Sequence, residues 1–172
     1  MKLSVKEIAI FGMLGGVMYA SKLLMEFLPN VHLLGVFIVA LTVVYRAKAL
    51  YPIYVFVLLT GMFNGFSTWW IPYLYIWLPL WGATMLLPKK LPKKAAPFIY
   101  MAVSSLHGFL YGTMYAPFQA IAFGLSFKGM LAWIIAGLPW DAVHGISNFI
   151  CGILIVPTIK VLRLADKHKE EQ

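Results

Sequence analysis

The chain has 172 residues, and its 14 Lys and Arg residues against 6 Asp and Glu residues give it a net charge of +8. Hydrophobic residues make up 62% of the chain and charged residues only 12%, whereas soluble domains average about 45–50% and about 25%. A soluble fold of this size cannot bury so much apolar surface, and a disordered chain needs low hydrophobicity, so both classes are excluded. Its single cysteine, Cys151, excludes a disulfide framework and a cysteine-rich metal site. The composition therefore predicts an integral membrane protein.

Six apolar segments predict six transmembrane helices in one all-α membrane domain that covers residues 1–172. In chain order the helices are expected at about 7–28, 31–46, 50–66, 73–87, 97–115 and 139–164. A helix rises 1.5 Å per residue and needs about 20 residues to span a bilayer, so the second and fourth segments are short. We expect their flanks to contribute, or the bilayer to thin around them.

The segment between the fifth and sixth predicted helices, residues 116–138, has two interpretations. It contains Gln119, Lys128 and three glycines, which favours an outer loop with short amphipathic or re-entrant helices. The alternative is a seventh span, because most residues from Pro117 to Leu138 are apolar. We also expect the run Gly137-Leu138-Pro139 to break the chain just before the last helix.

Basic residues cluster at the ends of the predicted helices. With six spans, the clusters on one side of the membrane hold all but two of the 14 Lys and Arg residues. These clusters comprise Lys2, Lys6, Arg46, Lys48, Lys89, Lys90, Lys93, Lys94, Lys160, Arg163, Lys167 and Lys169. Lys22 and Lys128 remain for the other side. Because cytoplasmic loops are enriched in Lys and Arg, we predict that the N- and C-termini are both cytoplasmic.

Polar and aromatic side chains concentrate in the outer half of the predicted bundle. An ionisable residue at mid-bilayer costs at least ~2.5 kcal/mol, which makes each one a functional candidate. Aromatic walls with a few polar groups are typical of small-molecule sites, although interfacial aromatic belts are the alternative for many of these rings. The candidate substrate-binding residues are Glu26, Asn64, Trp69, Trp70, Tyr73, Trp77, His107, Trp140, Asp141, His144 and Asn148.

Alternative interpretations remain open for these polar residues. Asp141, His144 and Asn148 share one helix face, which favours a pocket. The alternative for Asp141 is a first-turn charge that suits the helix dipole, and the alternative for His144 is a bond to a neighbouring helix. Lys22 and Glu26 are four residues apart, so a mutual ion pair near the interface is the alternative to a role in binding.

No catalytic or metal-binding motif stands out in the sequence. HExxH, GxSxG and phosphate-cradling glycine loops are all absent from it. The histidines His32, His107, His144 and His168 are scattered, and few acidic residues accompany them, so the signal for a metal is weak. We expect no catalytic residue, no metal site and no cofactor bound by this chain.

Small residues recur every four positions on the first predicted helix, at Gly12, Gly16 and Ala20. Such spacing lets another helix approach closely, which favours a docking face for a partner. The alternative is packing within this protein.

The first and last helices carry a family resemblance. The run KEIAIFGMLGGVMYA resembles the opening helix of the S components of energy-coupling factor (ECF) transporters, with glycines in place of the alanines of the family's AxxxA-type face. The run GLPWDAVHGISNFICGILIVPTIKVL is similar to the family's last helix, where a glycine-proline break precedes Asp, His and Asn. Chain length, six spans and cytoplasmic termini also fit.

The resemblance implies a substrate-capture subunit in a bacterial or archaeal cell membrane. Such a subunit binds a vitamin or precursor from outside and docks on an ECF coupling subunit, while two partner ATPases use ATP. Candidate ligands are thiamine-like, pyridoxine-like, flavin-like or corrinoid-precursor compounds, and no nucleic acid is expected. The alternatives are a self-sufficient proton-coupled transporter using Glu26, Asp141 and His144, or a membrane enzyme or assembly factor.

Overall fold

The computed structural model describes the backbone of residues 3–170 and the side chains of residues 3–166. Lys2, Lys167, His168 and Lys169, to which the sequence analysis refers, lie outside the described side chains. Within residues 3–170 the chain is helical and has no strand. Its α-helices are α1 (Val5–Leu24), α2 (Leu34–Tyr45), α3 (Leu50–Asn64), α4 (Leu78–Leu86), α5 (Ala96–Phe109), α6 (Tyr111–Phe123), α7 (Phe127–Cys151) and α8 (Ile155–Glu170).

Three helical stretches are long and apolar enough to cross a membrane: Val5–Leu24, Leu34–Asn64 and Phe127–Asp166. The all-α class is therefore confirmed, and the fold is compatible with a membrane protein. The second and fourth predicted segments are indeed short, since α2 has 12 residues and α4 has 9. Arg46 separates α2 from α3 because its φ of 53° lies outside the helical region.

The stretch 116–138, predicted as an outer loop with short helices, is formed by the end of α6, a turn and the start of α7. Helix α5 is followed after Leu110 by α6, and the amide of Met114 donates to the Leu110 carbonyl at 2.9 Å, so helical bonding continues across this kink. The chain then turns at Gly124, whose φ of 64° favours glycine, and α7 begins at Phe127. Because this turn divides 117–138 into two helices, that stretch is not a single seventh span.

The predicted break before the last helix is also wrong, because α7 passes through Pro139 without ending. Proline removes one backbone hydrogen bond and bends a helix, and a long helix packed against neighbours tolerates that loss. Asp141 consequently lies in the interior of α7 rather than in a first turn. The helix-dipole explanation for Asp141 therefore does not apply.

Basic residues meet at one end of the bundle, termed the basic end. The Lys48 ammonium pairs with Glu7 at 2.6 Å, which joins the start of α1 to the α2–α3 turn. The Arg46 guanidinium donates to the Met85 carbonyl at 2.6 Å, which brings the end of α4 to the same place. An apolar core then separates this end from the polar residues described below, and its largest buried side chains include Met18, Leu34, Ile38, Leu41, Ile53, Phe56, Leu80 and Ile155.

Helices α5 and α7 approach closely through two glycines. A Cβ atom placed on Gly108 would lie 2.8 Å from the Cα of Gly145, so neither helix has room for a side chain there. The Ser105 hydroxyl adds a hydrogen bond of 2.9 Å to the Gly145 carbonyl. This contact sets α5 against the middle of α7, where the candidate site residues lie.

Candidate functional site

A buried carboxylate joins α7 to the first turn of α6. The two Asp141 carboxylate oxygens accept from the Gly112 amide at 2.9 and 3.1 Å. Amides in the first turn of a helix have no carbonyl partner in their own helix, so Asp141 supplies the missing acceptor. A Cβ atom on residue 112 would lie 2.5 Å from Asp141 Oδ2, which explains the glycine. Asp141 therefore has a structural role, which is to hold the kinked start of α6 against α7.

An open cleft of ≈ 390 Å³ lies between α6, α7 and the α1–α2 loop, and we term it the aromatic cleft. Its lining residues are Asn30, Tyr111, Gly112, Tyr115, Gln119, Trp133, Gly137, Trp140, Asp141 and His144. The Tyr115 and Trp133 rings stack across it with an interplanar angle of 19°. Trp140 remains 59% exposed. None of these residues belongs to the basic end of the bundle.

Three imidazoles and two larger rings lie against one another beneath the cleft, in what we term the histidine cluster: His32, Trp77, His107, Tyr111 and His144. The His144 ring lies 4.6 Å from His32 and 4.8 Å from Tyr111, centroid to centroid. The His107 ring lies 5.8 Å from Trp77 and 6.1 Å from Tyr111. Because Tyr111 and His144 also line the cleft, the cluster forms its inner wall.

Several buried polar atoms near this wall have no hydrogen-bond partner among the described residues. They are His32 Nδ1, Trp77 Nε1, Ser104 Oγ, His107 Nδ1, His144 Nε2 and Asn148 Oδ1. In two of these side chains, the other polar atom does have a partner. His107 Nε2 bonds to the Ile76 carbonyl at 2.8 Å, and Asn148 Nδ2 donates to the Ser104 carbonyl at 3.1 Å. Buried polar atoms are nearly always paired with protein or water, so this region is suited to hold water or a polar ligand.

Most of the predicted substrate residues lie in or beside this region. Trp140, Asp141 and His144 line the cleft, and Trp77 and His107 belong to the cluster. Three more lie nearby. The Tyr73 ring lies 5.5 Å from the Trp77 ring, and the Trp69 carbonyl accepts a hydrogen bond from the Tyr115 hydroxyl. Asn148 is buried on the same helix as His144.

The structure does not bring the other three predicted residues to the cleft. Glu26 pairs with Lys22 at 3.7 Å, as in the alternative of a mutual ion pair rather than the predicted role in binding. Asn64 accepts from the Tyr19 hydroxyl at 3.2 Å. The Trp70 indole donates to the Val57 carbonyl at 2.8 Å and packs on α3.

Sequence reasoning missed several members of the site: Asn30, His32, Tyr111, Tyr115, Gln119 and Trp133. A usable signal existed for Tyr111 and Tyr115, which are four residues apart and therefore share a helix face. No such signal existed for His32, because it meets His144 through tertiary packing alone. Within the described residues, no group of three or more His, Cys, Asp or Glu side chains is arranged to hold a metal ion.

No family model, curated protein or solved structure matches this chain. Its function is therefore inferred from the chemistry of the cleft and from the residues that carry the resemblance described above.

The Asp141–Gly112 contact predicts a difference between two substitutions at one position. Asp141→Ala leaves the buried Gly112 amide unpaired, which costs about 1–3 kcal/mol, whereas Asp141→Asn keeps one oxygen as an acceptor. We expect Asp141→Ala to lower the thermal unfolding midpoint in detergent clearly more than Asp141→Asn does. Equal midpoints for the two variants would show that the contact contributes no stability.

Proposed function

We propose that this chain is the substrate-binding subunit of an ECF-type transporter, and that it captures a flat heterocyclic vitamin or vitamin precursor from outside the cell. The observation that carries the proposal is the aromatic cleft, which opens above buried polar atoms that have no described partner. A ligand with a planar ring and several polar atoms would stack on the cleft walls and satisfy those groups.

The proposed topology has six spans, formed by α1, α2, α3, α4, the α5–α6 pair and the α7–α8 pair. The α5–α6 pair extends from Ala96 to Phe123, which at 1.5 Å per residue is about 42 Å and enough to cross a bilayer. The positive-inside rule places the basic end in the cytoplasm of a bacterial or archaeal cell. The aromatic cleft then faces outward.

The charge of the cleft favours a neutral or cationic ligand. No Lys or Arg is among the residues that line it, whereas Asp141 contributes a carboxylate with acceptor sites beyond those used by Gly112. Asn30, Gln119 and His144 add neutral polar groups. Thiamine-like, pyridoxine-like and flavin-like compounds and corrinoid precursors have this character, and polyanions do not.

The exposed face of α1 supports docking on a partner helix. A Cβ atom on Gly12 or Gly16 would meet nothing within 4 Å, and Ala20 is exposed. Gly15 differs, because its Cβ would lie 2.4 Å from Val55 Cγ1 on α3. The internal contact of α1 therefore uses Gly15 and leaves the Gly12–Gly16–Ala20 face free for the proposed coupling subunit, whose two ATPases would consume the ATP.

Tryptophan fluorescence of the purified chain, titrated with a panel of vitamins and precursors, tests ligand capture. We expect a saturating quench by one class of ligand, because Trp133 lines the cleft. The double variant Trp133→Phe/Trp140→Phe should reduce that quench, because both indoles line the cleft, whereas Trp81→Phe, at the basic end, should leave it intact. Calorimetry of both variants separates loss of the signal from loss of affinity.

A flat response across the panel from a folded, monodisperse sample would contradict the proposal. Uptake by this chain alone in liposomes, driven by a pH gradient, would instead favour the proton-coupled transporter.

Substitutions on α1 test the docking face. Gly16→Leu projects into open space, so we expect normal folding and ligand affinity but strongly reduced uptake in cells that carry the ATPase module. Gly15→Leu is the control, since its side chain collides with Val55 and should lower the unfolding midpoint. Unchanged uptake by Gly16→Leu would show that this face is not used.

Labelling with a membrane-impermeant maleimide tests the topology. In a Cys151→Ala background, Lys128→Cys should react in intact cells, whereas Lys94→Cys should react only after lysis. Both residues are exposed and flank the α5–α6 pair, so labelling from the same side would contradict the proposed crossing.

A further inference from the structure

A second cavity, of ≈ 720 Å³, lies at the basic end between the α4–α5 loop, the start of α5 and one face of α8. Five cationic side chains surround it: Lys89, Lys90, Lys93, Lys160 and Arg163. Its remaining lining residues are mainly apolar and include Leu91, Val156 and Ile159. We term this cavity the basic cleft.

The cations of the basic cleft have no acidic counterpart in it. None of its lining residues is Asp or Glu. Five like charges around one cavity repel one another, so an anion bound there would be stabilised by all five.

The shape of the cleft indicates what kind of anion fits. A free inorganic ion would make no favourable contact with the apolar lining, whereas the glycerol backbone and first acyl carbons of a lipid would pack against it. On α8, the exposed apolar residues Val161 and Leu164 are the immediate neighbours of Lys160 and Arg163. The cationic groups therefore lie where an apolar helix surface meets the polar membrane boundary, which is the depth of a phospholipid headgroup.

We propose that the basic cleft binds the headgroup of an anionic phospholipid, with its phosphate among Lys93, Lys160 and Arg163 and its glycerol against Val156 and Ile159. The leaflet, which would be the cytoplasmic one, rests on the orientation proposed above. The binding itself does not, and it is independent of the ligand of the aromatic cleft. The lipid would link the α4–α5 loop to α8 at the end of the bundle remote from that cleft.

Native mass spectrometry of the full chain in neutral detergent tests the proposal by counting retained lipids. We expect preferential retention of phosphatidylglycerol over phosphatidylcholine, weakened by added salt. The double variant Lys160→Gln/Arg163→Gln should bind phosphatidylglycerol roughly thirtyfold more weakly, given the usual contribution of two cations near an anionic surface. Lys94→Gln/Lys128→Gln is the matched control, because it removes the same charge outside the cleft lining and should change little.

Three outcomes would overturn the assignment. They are equal retention of the two lipids, an equal loss in the control variant, and full displacement of the lipid by inorganic phosphate or by poly-glutamate, which would identify a free anion or an acidic protein as the occupant. The salt series on the unmodified chain and the single variant Lys93→Gln keep the test decisive if the double variant folds poorly. The vitamin titration measures binding in the aromatic cleft, at the other end of the bundle from the basic cleft. A failure of lipid binding is therefore distinguishable from a failure of the proposed function.

Discussion

The hydrogen bonds between Asp141 and the Gly112 amide are the contact on which the arrangement of the site depends. The helical path bends at Leu110, and a new helix start must have its amides satisfied inside an apolar bundle. Asp141 meets that need from the neighbouring helix, and it fixes how α6 leans against α7. The two helices in turn carry the walls of the aromatic cleft. The Asp141 carboxylate therefore holds the two helices together, and by doing so it also fixes the walls of the aromatic cleft.

Polar chemistry is separated along the length of the bundle. The imidazole, indole and amide groups without described partners lie near the aromatic cleft, and the cations lie at the other end. A largely apolar core of α2, α3, α4 and α8 lies between them. This separation is compatible with a membrane protein, because a membrane interior penalises charge.

Much of the fold could be predicted from apolar segments alone, including the helical class and the short second and fourth helices. The shared face of Asp141, His144 and Asn148 was also a sound inference, since all three are buried on α7. Two features were not predicted: the continuation of a helix through a proline, and a contact between residues far apart in the sequence. Pro139 indicates a helix end by local rules, yet packing within a long helix outweighs its cost. The contact of His32 with His144 depends on tertiary packing, which spacing in one sequence does not encode.

The helical stretch Phe127–Asp166 is shared by both cavities, with His144 at one and Lys160 at the other. These two residues are about 24 Å apart along the helix axis. Between them the helix tightens at Gly152–Leu154, where Gly152 lies so close to α5 that a Cβ would be 2.8 Å from Met101 Cγ. The aromatic cleft and the basic cleft therefore share one helical stretch, and between them a glycine with no room for a side chain sets that stretch directly against α5.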